Sequence, residues 1–418
     1  MTASDTTLAT PAPPRPAHVL ILGAGHAGGS AALNLRQYGF EGAITLLGDE
    51  PHAPYQRPPL SKAWLKGEAD LDALLLRPES AWAEQDITWL GGTRAEAIDP
   101  SERVVRHGHG ETPYDALIIA TGSRARPLEV PGAELEGVLS LRSITDAEAL
   151  KQRIRPGCRV VLAGGGYVGL EAAASARALG AEVTVIEREP RCLYRVASEA
   201  LALFFEARHR SEGVSILTGA RVAEIIGAEG HVSAVVLDDG REIAADLVLV
   251  GIGGLANDEL ARAAGLECAN GIVVDDAART SVPHIHAIGD VTWRPLPLYE
   301  GRHFRLESVP NALEQARQVA AHLTGRPAPS PEVPWFWSDQ YDLKLQIAGL
   351  PFDADRVIVR EREGALAVFH LMGETLRAVE AVNAPPEFMM GRQLIARRTP
   401  VDPDRLADPS VSMKEVAR

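Results

Sequence analysis

Two stretches of the chain repeat one hydrophobic rhythm. In "HVLILGAGHAGGSAALNLRQYGF" the apolar run His18–Leu22 is followed by a glycine turn, then by small and apolar residues at helical spacing. In "RVVLAGGGYVGLEAAASARALG" the run Arg159–Ala163 is followed by the same sequence of features. A short, unbroken apolar run between turn signals reads as a strand buried on both faces, as in a parallel sheet. The segment from Ala27 to about Tyr38 reads as the helix that follows. Each unit then returns to an apolar run, "AITLLG" before Glu50 and "EVTVIE" ending in Glu187. Further strands are predicted in "YDALIIATGS" (114–123), "ADLVLVGIGG" (245–254) and "HIHAIGDV" (284–291). By contrast, "AEIIGAEGHVSAVVLDDGREIAADLVLVG" alternates apolar and polar positions and turns at Asp239 and Gly240, the pattern of an antiparallel hairpin. The Pro-rich linker "GRPAPSPEVP" (325–334) leads to "RVIVREREGALAVFHL", which alternates like a β-meander.

This pattern predicts an α/β chain with two parallel-sheet units and a C-terminal α+β domain. Residues 1–17, rich in Thr, Ala and Pro, read as a flexible lead. That lead has no signal-peptide core, and no apolar run approaches the roughly 20 residues that span a bilayer. The expectation is a cytoplasmic protein without membrane contact. A formal net charge of −14 argues against a general nucleic-acid binder. Cys158, Cys192 and Cys268 are far apart and form no C-x-x-C pair, so neither a metal site nor a redox dithiol is expected.

Both glycine turns spell G-x-G-x-x-G, at Gly23, Gly25 and Gly28 and again at Gly164, Gly166 and Gly169. In this motif the first glycine makes the tight turn, the second lets a pyrophosphate approach the backbone, and the third lets helix and strand pack closely. The helix N-terminus then faces the phosphates. Glu50 and Glu187 stand where a carboxylate accepts hydrogen bonds from a ribose. At Glu187 this favours NADH, because a 2′-phosphate would be repelled; Arg188 is the one neighbour able to accommodate such a phosphate. Two sites of this kind suggest two dinucleotides, a flavin and a nicotinamide.

With "DEPHAPYQRPPLSK", "IIATGSRAR", "AIGDV", "ESVPNALEQA" and "VPWFWSDQYDLKLQIAG" added to the two fingerprints, the chain resembles the FAD-dependent NADH:ferredoxin reductases of the glutathione-reductase fold superfamily. The branch it is similar to is the putidaredoxin-reductase-like enzymes that serve bacterial haem-thiolate monooxygenases. The resemblance implies two Rossmann-like dinucleotide-binding domains, one for FAD at residues 18–125 and 257–328 and one for NADH inserted at 126–256, with a C-terminal domain at 329–418. The resemblance implies FAD contacts at Gly23, Ala24, Gly25, His26, Ala27, Gly28, Glu50, Arg57 and Lys62. It implies more at Ala95, Ala120, Thr121, Gly122, Arg142, Gly289, Asp290, Glu307, Ser308, Val309 and Trp337. NADH contacts are implied at Gly164, Gly165, Gly166, Tyr167, Val168, Gly169, Glu171, Glu187, Ile252 and Gly253. Lys62 would stand near the flavin N5 edge with Glu307 as its candidate ion-pair partner, and Tyr167 would cover the flavin face. Lys62 and Glu171 are supporting catalytic groups, the flavin carrying the chemistry.

The implied partner is a small [2Fe–2S] ferredoxin, and the implied assembly is a monomer or weak homodimer. Because both proteins would be acidic, docking calls for a local basic patch, for which Arg302, Arg305, Lys344 and Arg392 are the candidates. The chain departs from the family pattern in "GIGGLANDEL", where Ala256 replaces proline, so a more flexible loop is expected there. A disulfide reductase would need a redox cysteine pair within residues 50–70, and an NADH peroxidase or water-forming oxidase a single redox cysteine there; that stretch contains none. Three alternatives share the motifs and remain open: the reductase of an aromatic-ring dioxygenase, a rubredoxin reductase, and an NADH-sensing flavoprotein of the apoptosis-inducing-factor branch.

Overall fold

Strand His18–Leu22 is the middle strand of a five-stranded parallel sheet in the computed structural model, which describes residues 16–418. The lead at 1–17 therefore lies, but for its last two residues, outside the described residues. Its neighbours are Ala43–Leu47 and Ala116–Ile119, flanked by Ile87–Leu90 and Ile285–Ala287. Val19 to Leu22 are buried, which accounts for an apolar run without alternation: helices cover one face of the sheet, and strands Ala95–Asp99 and Val104–His107 with the short helix Glu259–Ala263 cover the other. The helix after the first glycine turn spans His26–Gln37 and packs against the long helix Val309–Thr324. Residues more than 280 positions apart in the chain thus close one core.

A second parallel sheet repeats the arrangement around Arg159–Ala163, with Glu182–Glu187 on one side and Leu247–Val250 on the other. Its fingerprint helix is Tyr167–Ala178. The alternating stretch folds as the antiparallel strands Val222–Ala228, His231–Leu237 and Glu242–Ala244, as its periodicity requires. A third sheet, of five antiparallel strands, occupies the C-terminal part in the order Trp335–Gln340, Leu343–Gly349, Thr375–Val382, Ala365–Met372, Arg356–Arg362.

The chain passes between the two parallel sheets twice. Ser123–Ala125 on the outward pass pairs antiparallel with Gly254–Ala256 on the return. This corrects the expectation of a loose loop at Ala256. Loss of the proline leaves every backbone N–H there free to join a ladder. The Asn257 side chain then anchors the segment by donating to the Thr121 carbonyl at 2.9 Å, while Thr121 Oγ1 donates to the Asn257 carbonyl at 2.7 Å.

Candidate active site

The two glycine turns have the same internal logic. A Cβ on Gly23 would lie 2.2 Å from the Ala120 carbonyl oxygen, and one on Gly28 would lie 2.0 Å from the Gly23 carbonyl oxygen. At Gly164 and Gly169 the corresponding distances, to the Gly251 and Gly164 carbonyl oxygens, are 2.5 and 2.7 Å. Those four glycines are fixed by the protein's own packing. The middle ones are different. A Cβ on Gly25 would meet nothing within 4 Å, and one on Gly166 only the Gly251 carbonyl oxygen at 3.9 Å. Nothing in the fold itself demands glycine there, so the bare backbone fits the close approach of a ligand phosphate. The imidazole of His26, in the first turn of its helix, supports this fit. Its Nδ1 is buried without a hydrogen-bond partner among the described residues, and burial lowers its pKa, leaving the ring neutral.

The acid beyond each turn is already partly engaged. Glu187 accepts from the Gly165 N–H at 2.7 Å and the Glu189 N–H at 2.9 Å, which braces it against the fingerprint loop. Arg188 is exposed and pairs with Glu189 at 3.1 Å. Glu50 takes an ion pair from Arg57 at 2.6 Å and a hydrogen bond from the Tyr55 hydroxyl at 2.6 Å. Burial pushes the Tyr55 phenol well above its ordinary pKa, so it remains a donor. Arg142 and Asp290, from segments far apart in sequence, meet at 2.9 Å beside Thr121 and Gly122.

Lys62 does not reach Glu307. Its ammonium pairs with Glu171 Oε2 at 2.6 Å, and both side chains are largely buried. Glu307 instead pairs with Arg305, two residues earlier, at 2.6 Å. Glu171 lies on the second fingerprint helix, so the pair joins the two nucleotide-fingerprint regions. Two serines complete the carboxylate's shell: Ser61 Oγ donates to Oε2 at 2.5 Å and Ser338 Oγ donates to Oε1 at 2.7 Å. Neither serine is singled out by sequence reasoning. The available signal is weak: in Trp335–Gln340, Ser338 and Gln340 share the Phe336 face by period-two alternation. Phe336 packs edge-on against Tyr167, ring centres 4.9 Å apart, and the Tyr167 hydroxyl donates to the Val196 carbonyl at 3.3 Å.

The basic candidates separate. Arg305 is corrected: its side chain is 10% exposed, held by Glu307 and the Gly254 carbonyl, and it presents no free charge to a partner. Arg302 is exposed, paired with Asp353 at 3.0 Å and stacked on Phe352. Arg392 pairs with Glu332 and stacks on Trp335. Lys344 is exposed and borders a groove of about 430 Å³ that also contains Trp335, Trp337 and Asn383. Ala95, Ile252, Ser308 and Val309 are half-buried in the described structure. Cys158 and Cys192 are buried, Cys268 is half-buried, and all three are free; burial raises the Cys192 thiol to about 12, the behaviour of an inert thiol. No group of metal-ligating side chains occurs among the described residues, and no helix there is long and apolar enough to cross a membrane.

The profile of the pyridine nucleotide-disulphide oxidoreductase family matches residues 17–316, and that of the reductase C-terminal domain matches 335–417. A probable ferredoxin reductase, CtmF, of Castellaniella defragrans is 50% identical over 402 residues, covering 96% of this chain and 98% of its own. The putidaredoxin reductase CamA of Pseudomonas putida is 43% identical over 410 residues, covering 96% of each. Among solved structures, the covalent putidaredoxin reductase–putidaredoxin complex superposes with a TM-score of 0.93 at 43% identity, over 96% of this chain and 97% of that one.

Proposed function

The chain belongs to the pyridine nucleotide-disulphide oxidoreductase family, and from that premise we propose that it is an FAD-dependent NADH:ferredoxin reductase. It passes electrons singly to a [2Fe–2S] ferredoxin serving a bacterial haem-thiolate monooxygenase. The observation that carries the reading is the pair of open cradles at Gly25 and Gly166, set in a chain with no cysteine between residues 50 and 70. The relatives named as ferredoxin and putidaredoxin reductases support the choice of acceptor.

In this reading residues 18–125 and 257–328 hold FAD, with Gly23–Gly28, Glu50, Arg57, Thr121, Gly122, Arg142 and Asp290 around it. Residues 126–256 hold NADH through Gly164–Gly169 and Glu187. Bound FAD supplies the conversion of a two-electron delivery into single-electron steps. The protein supplies position and charge. Gly25 and Gly166 let the two pyrophosphates approach, and Glu187 selects the ribose. Lys62, fixed by Glu171, keeps a positive charge where negative charge accumulates. Arg302, Lys344 and Arg392 lie toward the ferredoxin, the protein acts in the cytoplasm, and the working assembly is a monomer or weak dimer.

The test is direct. The purified protein should show a flavin absorption band that NADH bleaches without oxygen, and a [2Fe–2S] ferredoxin should restore it at catalytic rate. Slow reoxidation with NADH-driven dimerisation would identify an NADH sensor instead. Faster turnover with rubredoxin would reassign the acceptor.

A further inference from the structure

The Glu171 carboxylate is the inner end of a line of polar side chains that reaches the surface some way from the glycine cradles. Ser338, already bonded to Glu171 Oε1, accepts from Gln340 Nε2 at 3.1 Å. Gln340 Oε1 lies 2.8 Å from His209 Nε2, and His209 Nδ1 lies 3.1 Å from the Tyr341 hydroxyl. Ser338, Gln340 and His209 are at most 1% exposed. Tyr341 is half-exposed, at the turn between strands Trp335–Gln340 and Leu343–Gly349. The line crosses from the second fingerprint helix to the C-terminal sheet and on to helix Glu199–Ser211.

The direction of every bond follows from the inner end. A carboxylate can only accept. Ser338 must therefore give its one hydrogen to Glu171 and accept from Gln340. That turns the Gln340 NH₂ inward and its oxygen outward, so His209 must carry its hydrogen on Nε2. Burial lowers the His209 pKa, which keeps the ring neutral and leaves Nδ1 to accept from Tyr341. All four hydrogens point toward Glu171, and bonds aligned this way strengthen one another. The outer end is held against a local preference. Tyr341 has φ 56°, the left-handed region that favours glycine. Its ring nonetheless packs edge-on against His209 at 5.0 Å, with the Arg208 guanidinium 5.1 Å from its centre.

We propose that Tyr341, His209, Gln340 and Ser338 form a positioning relay that keeps Glu171 ionised, and Lys62 in place, while negative charge builds at the adjoining cofactor edge. The inference rests on the reading that a flavin lies beside Lys62. Negative charge arriving there favours proton uptake by Glu171. Its donors Lys62, Ser61 and Ser338 oppose that uptake, and Ser338 is the one the relay orients. The charged and titratable groups facing His209 and Tyr341 are Arg208 on the same helix as His209, Glu212 at that helix's C-terminal cap, Asp342 in the turn, and Arg177 on the fingerprint helix.

Two measurements decide the matter. The first is nitrogen-15 NMR of histidine-labelled wild-type protein, with the His209 signal assigned by its loss in His209→Gln. The Nε2–H tautomer is expected throughout about pH 6 to 8, the span in which an ordinary histidine would titrate; the Nδ1–H tautomer or a charged ring would overturn the relay. The second is spectroelectrochemical titration of the bound FAD at several pH values. Each proton taken up with the two electrons adds about 30 mV per pH unit to the slope. Ser338→Ala removes a donor, and the near-isosteric Gln340→Glu replaces the donating amide by an acceptor-only carboxylate. Each should add one solvent proton, converting Glu171 to its acid on reduction, while Ser338→Thr keeps the wild-type slope. Unchanged slopes in folded, FAD-loaded Ser338→Ala and Gln340→Glu would overturn the proposal; if those variants fail to fold, the wild-type tautomer decides it. A folded protein that binds no FAD would refute the flavin reading itself, a result recognisable before any slope is measured.

Discussion

Changing Gly25 and Gly166 separately to alanine should separate the two cofactors. Both glycines sit in extended backbone, at φ −87° and −80°, which alanine adopts freely. Neither added methyl meets protein atoms closer than 3.9 Å. Each is an N-cap, where alanine is worse than glycine by about 0.5–1 kcal/mol, and the stiffer unfolded chain returns a similar amount. The melting temperature of the ligand-free protein should therefore move by no more than a few degrees. Affinity should respond much more. A methyl in the path of a pyrophosphate costs the N–H bonds beneath it, each about 1.5–3 kcal/mol to a charged group, so two lost bonds amount to a hundredfold or more. Gly25→Ala should purify folded but without FAD after desalting. Gly166→Ala should retain FAD at full stoichiometry while its KM for NADH rises a hundredfold. The control is Gly28→Ala, whose methyl would collide with a carbonyl oxygen at 2.0 Å and should lower the melting temperature outright. A Gly25→Ala protein that keeps FAD as tightly as wild type, or a Gly166→Ala protein that loses FAD and spares NADH, would refute the assignment of the two cradles.

Three further outcomes are expected. With Glu187 braced by two backbone N–H groups, NADH should exceed NADPH in kcat/KM by at least about two orders of magnitude, and Glu187→Gln should narrow the gap; equal efficiencies in the wild type would contradict the ribose reading. Reversing Lys344 or Arg302 to Glu should raise the KM for ferredoxin several-fold and leave NADH-driven bleaching unchanged, a defect that shrinks with added salt; an unaltered KM would place docking elsewhere. Burial, with His322 as a lesser contributor, lowers His286 to about 3, below the 6.5 of an exposed imidazole; Asp275 and Arg279 are the other charged groups near it. The folded ring stays neutral while the unfolded one takes up a proton, so its contribution is complete above about pH 6.5 and is lost as pH falls toward 3. At pH 5 the loss is about 2 kcal/mol, and His286→Phe should flatten the fall in melting temperature between pH 7 and 5.

The parts of the fold and site legible in the sequence are those written in a few consecutive residues. His18–Leu22 and Arg159–Ala163 show as unbroken apolar runs because both faces of each strand are covered, and the first and last glycine of each turn show because a carbonyl oxygen stands where a Cβ would lie. What was hidden depends on segments that meet only in three dimensions. The sequence offers Glu307 as the partner of Lys62, and nothing in its motif points to Glu171. The choice is made where helix Tyr167–Ala178 comes to lie against Pro58–Ser61. Arg305 looked like surface because arginine usually is, yet Glu307 and the Gly254 carbonyl draw it inward. Ser338 and Gln340 lie within a motif that carries the family resemblance and His209 within none, and nothing in either stretch shows that the three are bonded to one another.

The pairing of Ser123–Ala125 with Gly254–Ala256 has a consequence for how such a chain can be altered. Facing Cα atoms in an antiparallel pair are about 5 Å apart, so the stretch between Ala125 and Gly254 departs from and rejoins the rest of the chain at almost one point. That geometry makes it a cassette. A turn of two residues suffices to bridge the gap in the chain if the stretch is removed. A homologous stretch spliced in through the same two junctions must still offer the partners that Glu171 gives to Lys62, Ser61 and Ser338 across the boundary, so the exchange is a matter of two junctions and one polar contact rather than redesign of the whole chain.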